Sequence, residues 1–325
     1  MKRSILAFSF VGFLLLLPGI VLGQRVTVSI PEGGYNATVK GKMEKNASAL
    51  LTEINKAHEE NRDIDISGIS HTASLDRPIS MLWENCHFMC LDEKIVENCL
   101  ETGSGYQIRN IPFLMTPTEG DDLREEYQEG VINFDREGNV ESLYLTISNN
   151  LYMSVVKKGK DVADLRRRQL ILDYVERFRT AYNQKDLAFL EQVFSDDALI
   201  ITGKVISQKA SDGIKLPDKI IYKKYTKREY LDRLKVSFRT KSYIRVTFDE
   251  ITVKRHPTLA DFYGVTLHQG YSSSNYHDDG YLFLLWDFQD ESRPKIHVRT
   301  WQPDSFNGKR LPREEIFSLS DFDLD

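Results

Sequence analysis

The chain contains little cysteine: Cys86, Cys90 and Cys99 are the only three in 325 residues. An odd number leaves at least one thiol outside any intrachain disulfide, so a dense disulfide scaffold is excluded. Together with His87 the cluster reads C-H-x2-C-x8-C, which raises a metal site, but the paired C-x2-C spacing of structural zinc sites is missing. We therefore predict one disulfide among the three, with buried free thiols as the alternative, and no metal.

Long apolar runs are also scarce, and one largely apolar run stands out, from Ile5 to Leu17. It follows two basic residues and precedes small residues near Gly23. About thirteen apolar residues are fewer than the roughly 20 that span a bilayer. The pattern is typical of a secretory signal peptide over residues 1–23. We expect cleavage and export to the periplasm or the extracellular space, with no membrane span.

The chain has no excess of basic residues, because 43 Lys and Arg face 48 Asp and Glu. A formal net charge of −5 does not favour nucleic acid as a partner. Residues 219–245 are a local exception, in which basic residues outnumber acidic ones. They indicate a solvated helix face or a surface for an anionic partner, for which the acidic C-terminal tail of the chain itself is a candidate. Residues 305–325 form an acidic tail with apolar side chains that would dock it, Phe317, Leu319, Phe322 and Leu324 among them.

An apolar content of 41% with 15 Tyr and 17 Phe supports packed cores, and the length left after a signal peptide favours two domains. We predict an N-terminal α+β domain over residues 24–155 and a second domain over residues 165–304. In the first, the patterns predict a helix over 40–61, a strand over 64–69 and a helix over 75–88.

The second half predicts a helix, a short helix, two strands, a helix and four strands, in that order. The sequence YNQKD (182–186) leads into FSDDA (194–198). This is similar to the F-x-D-D-A entry into the first strand of the NTF2-like (SnoaL-like) superfamily. The resemblance covers residues 165–304 and implies an α+β cone, a bent antiparallel sheet wrapped on helices.

The whole chain, through the sequences WENCHFMC (83–90), GYQIRNIP (105–112) and HVRTWQPD (297–304), resembles exported two-domain NTF2-like proteins of Bacteroidetes. That group has no assigned activity. The resemblance therefore implies an architecture and leaves the choice between binding and catalysis to the site residues.

Six residues are candidates for a pocket or a contact surface of the cone: Asp197, His268, Trp286, His297, Arg299 and Trp301. Strict alternation places His297, Arg299 and Trp301 on one face of the last strand. Facing outward they would form a contact surface, and facing inward they would suit an anionic or aromatic ligand. We expect Asp197 to be a turn or cap residue and His268 to be a structural, hydrogen-bonded histidine.

No acid–base motif is evident, so we predict a non-catalytic binding or assembly protein of the cell envelope, without cofactor or catalytic residue. The alternative is a small SnoaL-like enzyme that uses general acid–base chemistry on an apolar or carbonyl substrate, with His297 or Asp197 as base. A periplasmic sugar- or peptide-binding module is a third hypothesis. The expected partner is an unknown protein, a small apolar or anionic ligand, or a second copy of the chain in a homodimer.

Overall fold

A computed structural model describes residues 25–31, 36–102, 104–117, 125–147, 149–159, 162–209 and 215–322. The predicted signal peptide lies outside the described residues. Helices pack on two separate curled sheets, one in each half of the chain, which confirms the α+β prediction. No helix in the described ranges is long and apolar enough to cross a membrane.

The elements of the N-terminal unit are β1 (Thr27–Ser29), α1 (Ala37–Glu60), α2 (Ala73–Asn85), β2 (His87–Cys90), β3 (Lys94–Val96), β4 (Cys99–Glu101), β5 (Gly105–Thr116), β6 (Glu126–Asp135) and β7 (Val140–Thr146). The two helices pack on one sheet in which the strand order is β2-β5-β6-β7, and β4 also pairs with β5. Strands β1 and β3 form a small sheet beside it.

Two local predictions in this unit are wrong. The strand predicted over 64–69 is irregular, because the Asp65 carboxylate accepts the Ser67 N–H at 3.0 Å and bends the chain. The helix predicted over 75–88 ends at Asn85, since the residues that follow pair with β5 as strand β2.

Strand β1 is held on α1 by side chains spaced one helical turn apart. Glu44, Ser48 and Thr52 accept the backbone N–H groups of Ile30, Val28 and Val26 at 2.7, 2.9 and 3.0 Å. Positions i, i+4 and i+8 lie on one helix face, so they match every second residue of the extended strand.

The C-terminal unit is a six-stranded sheet of order β10-β11-β12-β13-β8-β9, in which β13 and β8 run parallel and the other neighbours antiparallel. Its elements are α3 (Asn149–Val156), α4 (Val162–Asn183), α5 (Leu187–Val193), β8 (Phe194–Lys209), β9 (Lys215–Tyr225), α6 (Lys227–Thr240), β10 (Ile244–Arg255), β11 (Phe262–Ser273), β12 (Tyr276–Asp287), β13 (Lys295–Pro303), β14 (Ser305–Phe306) and β15 (Lys309–Arg310). From α4 onward this is the element order predicted for an NTF2-like cone.

The sheet of the C-terminal unit has two different faces. Its inner face, which packs against α4, α5 and α6, contributes Val246, Val265 and Leu284 to the main core. Its outer face carries a smaller apolar cluster that includes Phe283 and Leu285. Alternation along each strand assigns every side chain to one face or the other.

The acidic tail docks on the outer face. The ring of Phe322 stacks on Phe283 at a centroid distance of 5.3 Å. The Phe317 N–H donates to the Gln302 side-chain oxygen at 2.7 Å, and Leu319 packs against the same cluster. The tail is therefore a cover for the sheet, as its apolar residues suggested, although Leu324 lies outside the described residues.

The two units have separate cores. One apolar cluster extends to Leu145 and the other begins at Ile147, and Tyr152 and Val155 of α3 belong to the second. Helix α3 thus packs with the C-terminal unit, although the sequence pattern assigned it to the first domain. Whether the units fold independently remains a prediction.

Polar contacts join the two units. The Asn85 amide donates to the Ile244 carbonyl at 2.8 Å and accepts the Ile244 N–H at 2.9 Å. Arg109 of β5 forms an ion pair with Glu176 of α4 at 2.5 Å, and both side chains are buried. The junction is therefore specified by directional bonds as well as by apolar packing.

Candidate functional site

A β-bulge in β13 decides where the candidate residues point. Trp286 of β12 pairs with Ile296, whereas the preceding Leu285 pairs with Val298, so His297 is an extra residue. The bulge puts His297 and Val298 on the outer face in succession and returns Arg299 to the inner face. The stripe predicted from strict alternation is therefore wrong at its first member.

Arg299 and Trp301 lie on the inner face. They pair with Leu284 and Leu282, and both leucines belong to the main core. Arg299 is only 5% exposed. Its Nε and Nη1 atoms have no hydrogen-bond partner among the described residues. Burying a guanidinium costs free energy when its N–H groups have no acceptor in place of water. The two nitrogens without a partner therefore need an explanation.

Tyrosines surround this guanidinium. Its central carbon lies 4.9 Å from the centroid of the Tyr230 ring. The hydroxyls of Tyr230 and Tyr182 are 2.7 Å apart and hydrogen-bond to each other. Burial lowers the pKa of Arg299, but Tyr230 and Tyr182 outweigh it, Tyr182 also through a hydrogen bond with the guanidinium, and with a smaller contribution from the Asp278 carboxylate the net pKa is raised. Arg299 is thus a charged group inside the cone.

The end of β12 closes one side of the site. Alternation places Asp278 on the same face as Leu282. The Tyr276 hydroxyl donates to Asp278 at 2.6 Å, and the Tyr276 ring lies 6.1 Å from that of Tyr271. Burial raises the pKa of Asp278. The inner site therefore combines a cation that has two nitrogens without a partner among the described residues with aromatic rings and a half-buried carboxyl group.

His297 lies outside the cone. Its Nε2 is 3.4 Å from an Asp287 oxygen and its Nδ1 is 3.7 Å from Asp197, and the ring leans on Phe262 of the outer face. Asp197 is an exposed residue of β8, whose pKa is lowered chiefly by a hydrogen bond from Ser195. This imidazole cannot reach a ligand that is bound to Arg299.

His268 also lies on the outer face. Its Nδ1 is 3.1 Å from Asp249 and its Nε2 is 3.7 Å from Asp304. The ring contacts that of Tyr281 at 5.4 Å between centroids. Nε2 is buried without a hydrogen-bond partner among the described residues, so the expectation of a structural, hydrogen-bonded histidine stays a prediction. Trp286, in contrast, is fully buried among the rings of Tyr174 and Phe288, so it is core and not pocket.

One polar chain was missed by the sequence analysis. The Ser272 hydroxyl is 3.0 Å from the Nδ1 of His277, and the Nε2 of His277 is 3.0 Å from Asp279. The signal was available, since these residues face one another across the β11–β12 hairpin. The His277 side chain is 64% exposed, however, and a base so open to water is poorly placed to activate a serine.

The structure contains three free thiols and not the predicted disulfide. Cys90 pairs with Phe113 of β5, while Cys99 pairs with Ile108 of the same strand. Five residues of strand separate these positions by about 16 Å. Cys86 and Cys90 are joined by extended chain over about 13 Å. A disulfide requires Cα atoms within about 7 Å, so these pairs cannot close without backbone movement.

No metal site is apparent either. Among the described residues, no group of three or more His, Cys, Asp or Glu side chains converges on a point that would hold a metal ion.

No family model and no curated protein matches the chain. Solved structures similar to it include an NTF2-like protein from Cytophaga hutchinsonii, with 16% identity, a TM-score of 0.32, and coverage of 42% of this chain and 97% of that one. An NTF2-like superfamily protein from Salmonella enterica has 11% identity, a TM-score of 0.34, and coverage of 44% and 94%. A naphthalene 1,2-dioxygenase with indole in its active site has 8% identity, a TM-score of 0.34, and coverage of 51% and 93%. Proteins described as NTF2-like are thus among its structural neighbours.

Proposed function

We propose that the protein is a non-catalytic binding protein of the cell envelope whose C-terminal cone binds a small aromatic anion. The observation that carries this proposal is the buried Arg299, whose Nε and Nη1 have no partner among the described residues. The N-terminal apolar run after Lys2 and Arg3 supports the location in the envelope.

The chemistry of the orphaned group favours an anion. A guanidinium binds carboxylate or phosphate oxygens through charge-assisted hydrogen bonds, which are about twice as strong as neutral ones. A bound carboxylate would provide both the missing acceptors and the counter-charge for Arg299. Its binding would offset the cost of keeping that cation inside the cone.

The walls of the site favour an aromatic body. Tyr230 lies against the guanidinium, Tyr271 packs beside the core, and Trp301 projects from the same face of β13. The Nε1 of Trp301 also has no partner in the described chain. Ligand sites of this kind combine apolar or aromatic walls with a few placed polar groups.

The arrangement of the histidines disfavours catalysis in the cone. General acid–base chemistry needs a titratable group within about 3 Å of the proton it moves. His268 and His297 both lie on the opposite face of the sheet from Arg299. A permanently charged guanidinium inside the cone, with both imidazoles on the other face of the sheet, favours binding over catalysis.

Benzoate is a suitable probe for this site. A ligand that binds only the folded state stabilises it by about 2.7 kcal/mol at roughly 100 times its Kd, so saturating benzoate should raise the Tm. Arg299→Met, which keeps most of the side-chain volume and removes the charge, should abolish that shift. Its own Tm without ligand should be equal or higher, since no buried cation remains.

The exposed Arg239 of α6 provides the matched control, because Arg239→Met should leave the benzoate shift unchanged. Benzyl alcohol, which is neutral, should give no shift. An undiminished shift in Arg299→Met, or an equal shift with benzyl alcohol, would refute the anion site. Turnover of esters or epoxides that disappears in Ser272→Ala or His297→Ala would replace binding with catalysis.

A further inference from the structure

We propose that the free edge of β9 binds an extended acidic peptide of another protein as an added strand. Three observations at one place support this: a strand edge and a group of exposed cations that have no strand or ion-pair partner among the described residues, and exposed apolar side chains between the cations. The proposal is independent of the cone ligand and of Arg299.

The topology leaves one edge of β9 open. Strand β9 ends the six-stranded sheet, and among the described residues its strand partner over residues 219–225 is β8 alone. An extended strand directs every second backbone N–H and C=O away from its neighbour. These groups form a template for a further strand.

At the start of the same edge, a side chain of the protein itself bonds to the backbone in the way that an added strand would. The Asn307 side-chain oxygen accepts the Asp218 N–H at 2.7 Å, and the Asn307 amide donates to the Asp218 carbonyl at 3.0 Å. One side-chain amide thus satisfies a backbone donor and acceptor as an adjacent strand would. Beyond Asp218, no other described segment is hydrogen-bonded to the open edge of β9 over residues 219–225.

The surroundings of the edge are cationic. Exposed basic side chains lie on β9 and on the helix that follows it: Lys219, Lys223, Lys224, Arg228, Lys235 and Arg239. None of them forms an ion pair with another described residue, in contrast to Lys227, which pairs with Asp196, and Arg245, which pairs with Glu126. Unpaired cations concentrated here, on a chain with net charge −5, favour an anionic partner.

Apolar side chains lie between the cations along β9, where residues 219–225 read KIIYKKY. The Tyr222 hydroxyl accepts a hydrogen bond from the Gln302 amide at 2.9 Å, and its ring packs against Phe317, so Tyr222 is exposed only in part. Ile221 is 37% exposed and Tyr222 is 42% exposed, and as consecutive strand residues they point to opposite faces of the sheet. An added strand would lay alternate side chains beside each of them. The partner carries both apolar and acidic residues, so that its backbone provides affinity and its carboxylates meet the lysines on the face that they share.

Lysine on an edge strand ordinarily prevents pairing with other chains. Its effect depends on the charge of the incoming strand, because like charges placed opposite each other repel and opposite charges attract. Acidic segments are thus selected and neutral or basic ones excluded. A strand edge also suits a peptide better than nucleic acid or a membrane, because it presents backbone donors and acceptors in register.

The test uses a fluorescein-labelled synthetic peptide of about eight residues that alternates Glu and Val, titrated with the full chain and followed by anisotropy. Binding should weaken as salt is raised. Lys223→Glu/Lys224→Glu should reduce affinity by about tenfold or more. The matched control Lys45→Glu/Lys254→Glu reverses two exposed lysines away from β9 and should leave affinity unchanged.

Backbone pairing is tested by N-methylation of the peptide. Methyl groups on one set of alternate residues should abolish binding, because those N–H groups face β9, while methyl groups on the other set should be tolerated. Equal tolerance of both sets would exclude strand addition. The proposal would also be overturned if a single-stranded oligonucleotide or anionic vesicles bound as tightly and were lost in the same lysine variant, or if no peptide bound while circular dichroism showed folded protein.

Discussion

Two buried arginines, one at the junction of the units and one in the cone, differ in whether a buried carboxylate is bound to them. Arg109 has both Nη atoms bonded to Glu176, and its guanidinium carbon lies 3.9 Å from the centroid of the Tyr152 ring. Arg299 is about as buried, and no carboxylate among the described residues forms an ion pair with it. The Nε atoms of both arginines have no partner in the described chain, and in Arg299 the Nη1 has none either. The first guanidinium is held by a buried counter-ion, whereas the second has donors left for the anion proposed above.

The largest expected effect is at the junction. Arg109→Met leaves the Glu176 carboxylate buried without its counter-ion, and breaking such a pair typically costs about 3–5 kcal/mol. Arg299→Met should leave the free energy of unfolding unchanged or raise it by less than about 1 kcal/mol, in line with the equal or higher Tm expected above. Urea unfolding of both variants measures the difference.

The double variant Arg109→Met/Glu176→Met is the control, since removing both charges should recover much of the loss. If Arg299→Met proved as destabilising as Arg109→Met, Arg299 would be a structural residue and the contrast between the two arginines would fail.

A second prediction concerns pH at the same junction. Burial raises the pKa of Asp173 to about 6, because it outweighs the attraction of Arg177. The folded state then holds this proton more tightly than the unfolded state, so stability falls as pH rises from about 4 through 6. Asp173→Asn should therefore stabilise the protein at about pH 8, by on the order of 1–3 kcal/mol, and have little effect at about pH 4.

Urea unfolding of wild type and Asp173→Asn at the two pH values isolates this residue from the other carboxyl groups. A stabilisation that is the same at both pH values would show that Asp173 does not titrate in this range.

The smallest effect is expected at the thiols of the N-terminal unit. Burial raises the pKa of Cys86 to about 12 and those of Cys90 and Cys99 to about 11. All three should react slowly with a disulfide reagent in the native protein, Cys99 first because it is the least buried. Denatured, unreduced protein should give three free thiols, and a count of one would restore the disulfide.

Local signals in the sequence were sufficient for much of the fold. Thr226 and Glu229 form the capping box that their spacing indicates, and α6 begins directly after it. The order of elements from α4 to β13 follows from hydrophobic periods of about 3.6 and 2 residues, which depend on neighbours along the chain. Such signals need no knowledge of what packs from elsewhere.

The candidate site could not be predicted in the same way. Whether His297 and Arg299 share a face depends on one unpaired residue against β12, and residues 295–302 contain no glycine or proline that would mark it. The junction has the same difficulty, because Arg109 and Glu176 are 67 residues apart. Both features depend on pairing between distant segments, which periodicity within one segment does not report.

The bulge at His297 also bears on which side chains β13 places on each side of the sheet. Strand β13 carries an imidazole and a guanidinium two positions apart, and a single extra residue between pairing partners sends them to opposite sides of the sheet. Deleting the extra residue would restore strict alternation and leave Arg299 on the inner face, so the guanidinium keeps its place with or without the bulge. What the bulge adds is a second outward position in succession, which lets β13 keep an imidazole outside and a permanent charge inside only two residues apart.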